Sequence, residues 1–180
     1  KFYSEIKVLE AVKDGDDAQL MRRGNITSAY SGALNMTNLT TNRFSIMMHE
    51  LLKISSIGEY FGKTSVDLSF IDITARHVVK IAASQAQSII YHIYSPHTRT
   101  MQSVLENAKQ TQMNIISDEE FEQMLLNNGM HEVIGLSSGD TTQVPAQIES
   151  EMTQHVIAQL GDGWPHVTSQ WLSALRYIII

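Results

Sequence analysis

Apolar residues at the start of the chain recur at three- and four-residue intervals, the spacing of one face of an amphipathic helix. The residues with this spacing are Phe2, Ile6, Leu9 and Val12. A glycine-containing run at 14–17 then supplies the terminal turn. The chain begins at Lys1, with no helix-capping residue before the pattern. We therefore predict an opening helix, and we interpret the sequence as a fragment of a longer protein.

The middle of the chain alternates between strand-like and helix-like patterns. Short apolar runs that end in polar turns predict strands at 18–21, 66–71, 89–94 and 114–116. Longer runs with helical spacing predict helices at 43–54, 72–83 and 100–109. On the inner face of the second of these helices we expect Ala75, Val78, Val79 and Ala82, with Asp72 or Thr74 as its N-cap. The alternation is typical of a parallel sheet covered by helices, so we predict an α/β fold.

Helical patterns dominate the last third of the chain. Ser117 and Glu120 have the spacing of a capping box, and the helix that they open should end before Gly129. A proline at the start of the segment 145–160 suits the first position of another helix. A final amphipathic helix is predicted at 168–177.

Composition narrows the class of protein. The 180 residues are 43% hydrophobic and 18% charged, which is typical of a globular domain. No apolar run is long enough to span a membrane and no export leader opens the chain, so we expect a cytoplasmic protein with no membrane partner. The sequence contains no cysteine, which excludes disulfides, thiolate metal sites and a thiol nucleophile.

Charge argues against a nucleic-acid partner. The formal net charge is −6, whereas a nucleic-acid surface needs clustered lysine and arginine. From residue 117 onward the chain carries one basic and nine acidic side chains, so the acidic excess belongs to the last third. This uneven distribution indicates either two structural units or a solvated acidic face on the last helices.

Complete motifs for self-contained chemistry do not occur in the sequence. It has neither a Gly-x-Gly-x-x-Gly run nor a Walker loop, so a nucleotide site in these residues would be partial. The serine between glycines at 135–139 lacks the strand-to-helix context of a hydrolase nucleophile. None of the seven histidines has metal-ligand spacing, so we predict no metal. The polar turn at 22–28 follows a predicted strand directly, which is where α/β sheets bind ligands.

Five segments of the sequence occur in an order that one protein family shares. They are Lys1-Phe2 with its helix through Ala11, the turn at 22–27, the stretch at 72–77, the strand end at 91–97, and Trp164-Pro165 with Trp171-Leu172. In this order they resemble the terminal thioester reductase domains of nonribosomal peptide synthetases, a branch of the extended short-chain dehydrogenases. The runs at 41–45 and 132–136 are similar to the aureusimine, or pyrazinone synthetase, type of these domains.

The resemblance implies the C-terminal part of a Rossmann-like extended short-chain dehydrogenase fold, with a mainly helical substrate-binding subdomain. Residues 1–30 would end the cofactor domain, with the catalytic lysine helix and the nicotinamide turn. Residues 31–63 would be an insertion on the substrate and phosphopantetheine side. A strand–helix–strand unit with further sheet elements would cover 64–94, and the helical substrate subdomain 95–180. The N-terminal Rossmann half would lie outside these residues.

The resemblance also implies a reaction. NADPH, or NADH, would reduce an aminoacyl or peptidyl thioester carried on the phosphopantetheine arm of an upstream peptidyl carrier protein, and the product would leave as an aldehyde or as an alcohol. Lys1 would be the catalytic lysine, lowering the pKa of a tyrosine four positions before the chain and binding the nicotinamide ribose. Without that tyrosine and a phosphate cradle, the fragment alone is expected to be inactive.

The other site residues implied by the resemblance fall into two groups. Gly24, Asn25 and Ile26 would bind the cofactor by flanking its nicotinamide ring. Thr27, Asn42 and Phe44 would bind the substrate.

Other interpretations stay open at this point. Lys1 could be an exposed terminal lysine, the turn at 22–28 a structural strand end, and Phe44 a core residue. The whole chain could be a non-catalytic, reductase-like binding or scaffold domain. It could also come from another extended short-chain dehydrogenase, such as a sugar-nucleotide epimerase.

Overall fold

Pairs of short strands, connected by helices and turns, form the frame of the fold. The computed structural model of the protein describes residues 2–32, 42–85, 87–130, 133–134 and 149–179. Within these ranges, none of the helices combines the length and the apolarity that crossing a bilayer would require.

The helices and strands are numbered in chain order. The helices are α1 (Phe2–Lys13), α2 (Arg43–Lys53), α3 (Glu59–Lys63), α4 (Ile71–Ala82), α5 (Met101–Lys109), α6 (Asp118–Asn127), α7 (Glu151–Gln159) and α8 (Ser169–Ile179). The strands are β1 (Leu20–Arg23), β2 (Ile26–Thr27), β3 (Ser56–Gly58), β4 (Ser65–Val66), β5 (Ser69–Phe70), β6 (Ile90–Ile93), β7 (Arg99–Thr100) and β8 (Asn114–Ile116).

Parallel pairing predominates among the described strands. β1 pairs with β6, in a register that runs from Leu20 opposite Ile90 to Arg23 opposite Ile93. β2 pairs with β5 and β3 with β8, both in parallel, while β4 and β7 are antiparallel. Because parallel strands need crossover connections, this pairing agrees with the predicted strand–helix alternation and confirms the α/β class.

The hydrophobic core includes the methionine-rich helix α2. Met47, Met48 and Leu51 are buried on one side of this helix. Leu172 and Leu175 of α8 belong to the same buried cluster. Methionine fills irregular gaps because its side chain is unbranched and flexible, so α2 acts here as core packing.

Hydroxyl side chains cap two of the helices, and the first of these caps was predicted. The hydroxyl of Ser117 accepts a hydrogen bond from the backbone N–H of Glu120, 3.2 Å away, at the start of α6. Thr100 likewise caps α5 by accepting from the N–H of Ser103 at 3.3 Å. Gly129 follows α6 with φ +68°, the left-handed conformation that glycine adopts at a helix end.

The predicted inner face of α4 is confirmed at Val78, which is half-buried against the core, and is wrong at the other three positions. Ala75, Ala82 and Val79 are exposed, and Val79 retains 66% of its surface. The buried residues of this helix are Ile73, Thr74, His77 and Ile81. These four also recur at helical spacing, and the face that they form packs against α7 and the strands β5 and β6.

The predicted N-cap of α4 is also wrong. The helix starts at Ile71, with Phe70 in the N-cap position. Asp72 lies within the first turn, and its carboxylate accepts a hydrogen bond from the backbone N–H of Tyr30 at 2.9 Å. Asp72 therefore joins the end of the β2 segment to the start of α4.

Three predicted boundaries also shift. The first strand covers 20–23 instead of 18–21, because backbone pairing with β6 continues through two exposed arginines. The predicted strand at 66–71 is divided between β4 and β5, since β4 pairs with β7 whereas β5 pairs with β2. The helix predicted from residue 145 begins at Glu151, and the carbonyl of Ser150 accepts its first hydrogen bond, from Gln154. Residues 135–148 lie outside the described ranges.

Candidate functional site

The candidate site is the turn between β1 and β2. Strands β1 and β6 end side by side at Arg23 and Ile93, and the N–H of Gly24 still donates to the carbonyl of Ile93 at 3.3 Å. The chain then passes through Asn25 into β2, which pairs with β5. The turn therefore stands at the carboxyl end of a parallel strand pair, where α/β folds bind their ligands.

Gly24 has a steric reason to be glycine. A β-carbon on this residue would lie 1.7 Å from Asp67 Oδ2 and 2.7 Å from the β-carbon of Tyr94. The resemblance placed this glycine beside the nicotinamide ring of the cofactor. In the structure the close approach is made by a side chain of the same protein, so the glycine is required even without a ligand.

The backbone of Asn25 is bound within the protein. Its N–H donates to Asp67 Oδ2 at 2.9 Å, and its carbonyl accepts from the N–H of Ser69 at 3.1 Å. The residue as a whole is exposed. A contact from Asn25 to a ligand would therefore come from its side chain.

Ile26 and Thr27 form strand β2. Ile26 lies opposite Ser69 in the parallel register and is half-buried. Thr27 is buried, and its hydroxyl donates to the carbonyl of Ser69 at 3.2 Å. The resemblance assigned Thr27 to substrate binding, but its hydroxyl proton is already used in a hydrogen bond to β5.

Asp67 is a site residue that the sequence analysis missed. Its second carboxylate oxygen, Oδ1, accepts a hydrogen bond from the hydroxyl of Ser69 at 2.7 Å. Burial raises the pKa of Asp67, although its hydrogen bonds to Ser69, Asn25 and Ser95 act in the opposite direction. Its only signal in the sequence was an acidic residue inside a predicted strand, a position where carboxylates are depleted.

Asn42 and Phe44 lie at the start of α2. Asn42 is the N-cap, and its Oδ1 accepts from the N–H of Ser45 at 3.1 Å. Phe44 is half-buried and packs against the hydrophobic core. The structure therefore gives both predicted substrate residues a part in holding α2, beside residues 33–41, which lie outside the described ranges.

Lys1, the predicted catalytic residue, also lies outside the described ranges, but helix α1, which begins at Phe2, is linked to the site. The guanidinium of Arg22 makes two hydrogen bonds to the carboxylate of Glu5 in α1, Nη2 to Oε2 at 2.7 Å and Nε to Oε1 at 3.3 Å. A third nitrogen of Arg22 lies 3.4 Å from His92 Nε2. The hydrogen bond from Arg22 lowers the pKa of Glu5. One ion pair thus joins α1 to the strand that leads into the Gly24 turn.

A second polar cluster brings together two of the segments behind the resemblance. Asp162 forms a forked pair with Arg76 at 2.7 and 2.8 Å, and it lies 2.8 Å from Lys80 Nζ. The ring of His77 is fully buried, with Nε2 3.5 Å from Asp162 Oδ1 and its edge against Trp164 at 4.6 Å between centroids. Hydrogen bonds, first of all from Arg76, hold the pKa of Asp162 well below its usual range. This cluster clamps the 161–165 turn to α4.

The fold is similar to that of solved reductase domains. It matches an aureusimine biosynthetic cluster reductase domain at 41% sequence identity and a TM-score of 0.90, over 99% of this chain and 48% of that chain. A thiolation-reductase di-domain from an archaeal non-ribosomal peptide synthetase matches at 23% identity and a TM-score of 0.85, over 99% of this chain and 39% of that chain. RMD from Pseudomonas aeruginosa, solved in complex with NADPH, matches at 12% identity and a TM-score of 0.53, over 97% of this chain and 51% of that chain.

The last two similarities show the fold alone. No protein-family model matches the chain, and no curated protein sequence matches it either. The chain spans about half the length of the aureusimine cluster domain. The resemblance seen in the sequence is confirmed by that match.

Proposed function

We propose that this chain, which is similar over nearly its whole length to about half of an aureusimine biosynthetic cluster reductase domain, is the C-terminal part of an NAD(P)H-dependent thioester reductase of a nonribosomal peptide synthetase. The parent enzyme would release an aminoacyl or peptidyl group from its carrier protein as an aldehyde. The observation that supports this most is the 41% identity to the aureusimine cluster reductase domain, at a TM-score of 0.90. The position of the Gly24 turn agrees with it, because this turn lies at the ligand-binding edge of the parallel strands.

Lys1 would act through its charge. A cation beside a phenol favours the phenolate, so Lys1 would lower the pKa of a tyrosine in the parent chain and make it a better proton donor near neutral pH. That proton would go to the oxygen of the reacting carbonyl as negative charge develops there. The Arg22–Glu5 ion pair would keep the helix of Lys1 in place against β1.

The nicotinamide end of the cofactor would lie at the Gly24 turn. Gly24, Asn25 and Ile26 would flank that end, with the exposed Asn25 side chain as its polar contact. When bound, NADPH would supply the hydride. The sequence has no glycine-rich phosphate cradle, so the rest of the cofactor would be held by parts of the parent protein outside these residues.

The substrate side would begin at Thr27 and continue through the insertion at 31–63. Asn42, by capping α2, would set where that helix starts, and Phe44 would present its exposed part to the acyl group. Residues 64–94 would form the strand–helix–strand unit with further sheet elements. Residues 95–180, which also contain β7 and β8, would form the mainly helical substrate subdomain.

The implied partner is a peptidyl carrier protein with its phosphopantetheine arm. Carrier proteins of this class are acidic, and the residues from 117 onward carry nine acidic side chains. Like charges disfavour encounter, so the carrier would dock away from this acidic part. The proposed setting is the cytoplasm.

The test is reduction of an aminoacyl- or dipeptidyl-pantetheine thioester by the parent protein, measured as NADPH consumption and aldehyde formation. We expect Lys1→Ala to lower kcat by about 10²- to 10⁴-fold. The matched control is Lys7→Ala, which removes an exposed lysine of helix α1 that pairs with Glu10 at 2.6 Å and lies over the ring of Tyr3. Absence of turnover with carrier binding intact would instead indicate a scaffold domain. Turnover of a sugar nucleotide would indicate an epimerase.

A further inference from the structure

The ends of three strand segments meet at one network of hydrogen bonds, which is exposed at Asn25 and buried at Ser69 and Ser95. The Asp67 carboxylate accepts from the N–H of Asn25, between β1 and β2, and from the hydroxyl of Ser69 at the start of β5. The hydroxyl oxygen of Ser69 in turn accepts from the N–H of Ser95, just after β6, at 2.9 Å. The network therefore ties the turn at Gly24 to two neighbouring segments that are distant in sequence.

The inner part of the network is buried. Ser69 and Ser95 are fully buried, and the hydroxyl of Ser95 accepts from the N–H of His97 at 3.2 Å. Buried polar groups of this kind keep their partners because an unsatisfied donor or acceptor is costly. Movement of the Gly24 turn would break at least the Asn25–Asp67 bond.

The contacts of the Asp67 carboxylate hold the backbone of the Gly24 turn in position. In the described part of the chain, no lysine, arginine or histidine forms an ion pair with it. Its two oxygens instead bond a backbone amide and a hydroxyl, while Oδ2 fills the space that a β-carbon of residue 24 would need. Both observations concern the position of the turn.

We infer that Asp67 is a positioning residue for the cofactor: it fixes the Gly24–Asn25 backbone, so that the exposed Asn25 side chain is held at the nicotinamide end of the site. This inference rests on the proposed function. Asp67 is assigned no contact with the reacting atoms, because its two carboxylate oxygens already accept from the Asn25 N–H and the Ser69 hydroxyl. Its loss should weaken cofactor binding while leaving the affinity for the thioester intact.

The chain contains a matched control for this role. At the end of β3, Asp118 Oδ1 would lie 2.5 Å from a β-carbon on Gly58, and its carboxylate accepts from the N–H of Tyr60 at 3.1 Å. Asp118 thus repeats the glycine–carboxylate arrangement at a different strand pair. Asp118→Ala should lower stability as Asp67→Ala does, without changing cofactor affinity.

The experiment measures NADPH Kd, both KM values, kcat and Tm for the parent protein with Asp67→Ala, Asp67→Asn or Asp118→Ala. We expect Asp67→Ala to raise the Kd and KM for NADPH about tenfold with an unchanged thioester KM. Asp67→Asn, which keeps the shape and one acceptor oxygen, should recover part of the loss, and it keeps the test usable if the alanine variant does not fold.

The outcomes separate the two proposals. If the wild-type parent binds no NADPH, both the proposed function and this inference are wrong. If the wild type binds NADPH and both Asp67 variants bind it equally well, the inference is overturned while the function stands. An equal loss of NADPH and thioester affinity, or a loss matched by Asp118→Ala, would show a purely structural role and overturn it as well.

Discussion

The carboxylate of Asp67 occupies the space beside Gly24 that any other residue type would need for its β-carbon. A β-carbon at position 24 would lie only 1.7 Å from Asp67 Oδ2. Each residue therefore restricts the other, and substitutions at the two positions should not be additive. Contacting residues typically show coupling energies of about 0.5–3 kcal/mol in double-mutant cycles.

Gly24→Ala should reduce the free energy of unfolding by about 2 kcal/mol, because the added methyl group overlaps Asp67. In an Asp67→Ala background the same change should cost less, although Tyr94 Cβ at 2.7 Å still limits the recovery. Urea unfolding of the four proteins measures this cycle. Gly163→Ala is the control, since a β-carbon there meets nothing described within 4 Å. Additive losses would show that Asp67 moves aside and does not restrict residue 24.

Asp162 should stabilise the protein in a pH-dependent way. Its pKa is lowered in the folded state, so its contribution is complete above the unfolded value near 3.8 and is lost as pH falls below that value. Asp162→Asn should lower the free energy of unfolding by about 2 kcal/mol at pH 7 and reduce the acid sensitivity. Chemical unfolding at pH 7 and pH 3 measures both effects. An unchanged pH dependence in the variant would contradict the role given to the Arg76 and Lys80 contacts.

His77 should make the stability of the protein depend on pH in a higher pH range than Asp162 does. Burial lowers its pKa from 6.5 more than the neighbouring Asp162 carboxylate raises it, while Arg76 also favours the neutral ring. Because the unfolded chain binds this proton more readily, stability should fall as pH decreases below about 6.5. His77→Phe keeps a ring against Trp164 but cannot titrate, so its Tm should change less between pH 7.5 and 5.5. Equal Tm shifts in the wild type and the variant would assign that pH dependence to other groups.

Local patterns predicted the elements that depend on local interactions. The limits of α6, with its Ser117 cap, are set by neighbouring residues, and the sequence shows them directly. The inner face of α4 could not be chosen in the same way. His77 is buried because Trp164, 87 positions later, packs on its ring, whereas the alanines face solvent. Two stripes with helical spacing compete on that helix, and only tertiary contacts decide between them.

The candidate site also has one part that the sequence predicts and one part that depends on contacts distant in sequence. The turn after β1 was found from its position behind a strand, because ligand-binding edges follow from chain order in parallel sheets. Asp67 could not be found, since its contact with Asn25 spans 42 positions and depends on the pairing of β2 with β5. The reason for glycine at position 24 was missed with it, because the side chain that requires it is distant in sequence.

Arg22 should control activity more than stability, since its forked pair with Glu5 lies on the surface, where ion pairs contribute little to folding. Arg22→Lys keeps the positive charge but cannot make the two parallel hydrogen bonds to Glu5, so helix α1 would be held less firmly against β1. If Lys1 is catalytic, kcat of the parent reductase should fall about tenfold, with Tm nearly unchanged. Steady-state kinetics with Lys7→Ala as the control measures this, because that variant breaks another exposed ion pair of the same helix. A wild-type kcat in Arg22→Lys would show that the Arg22–Glu5 pair does not position the catalytic lysine.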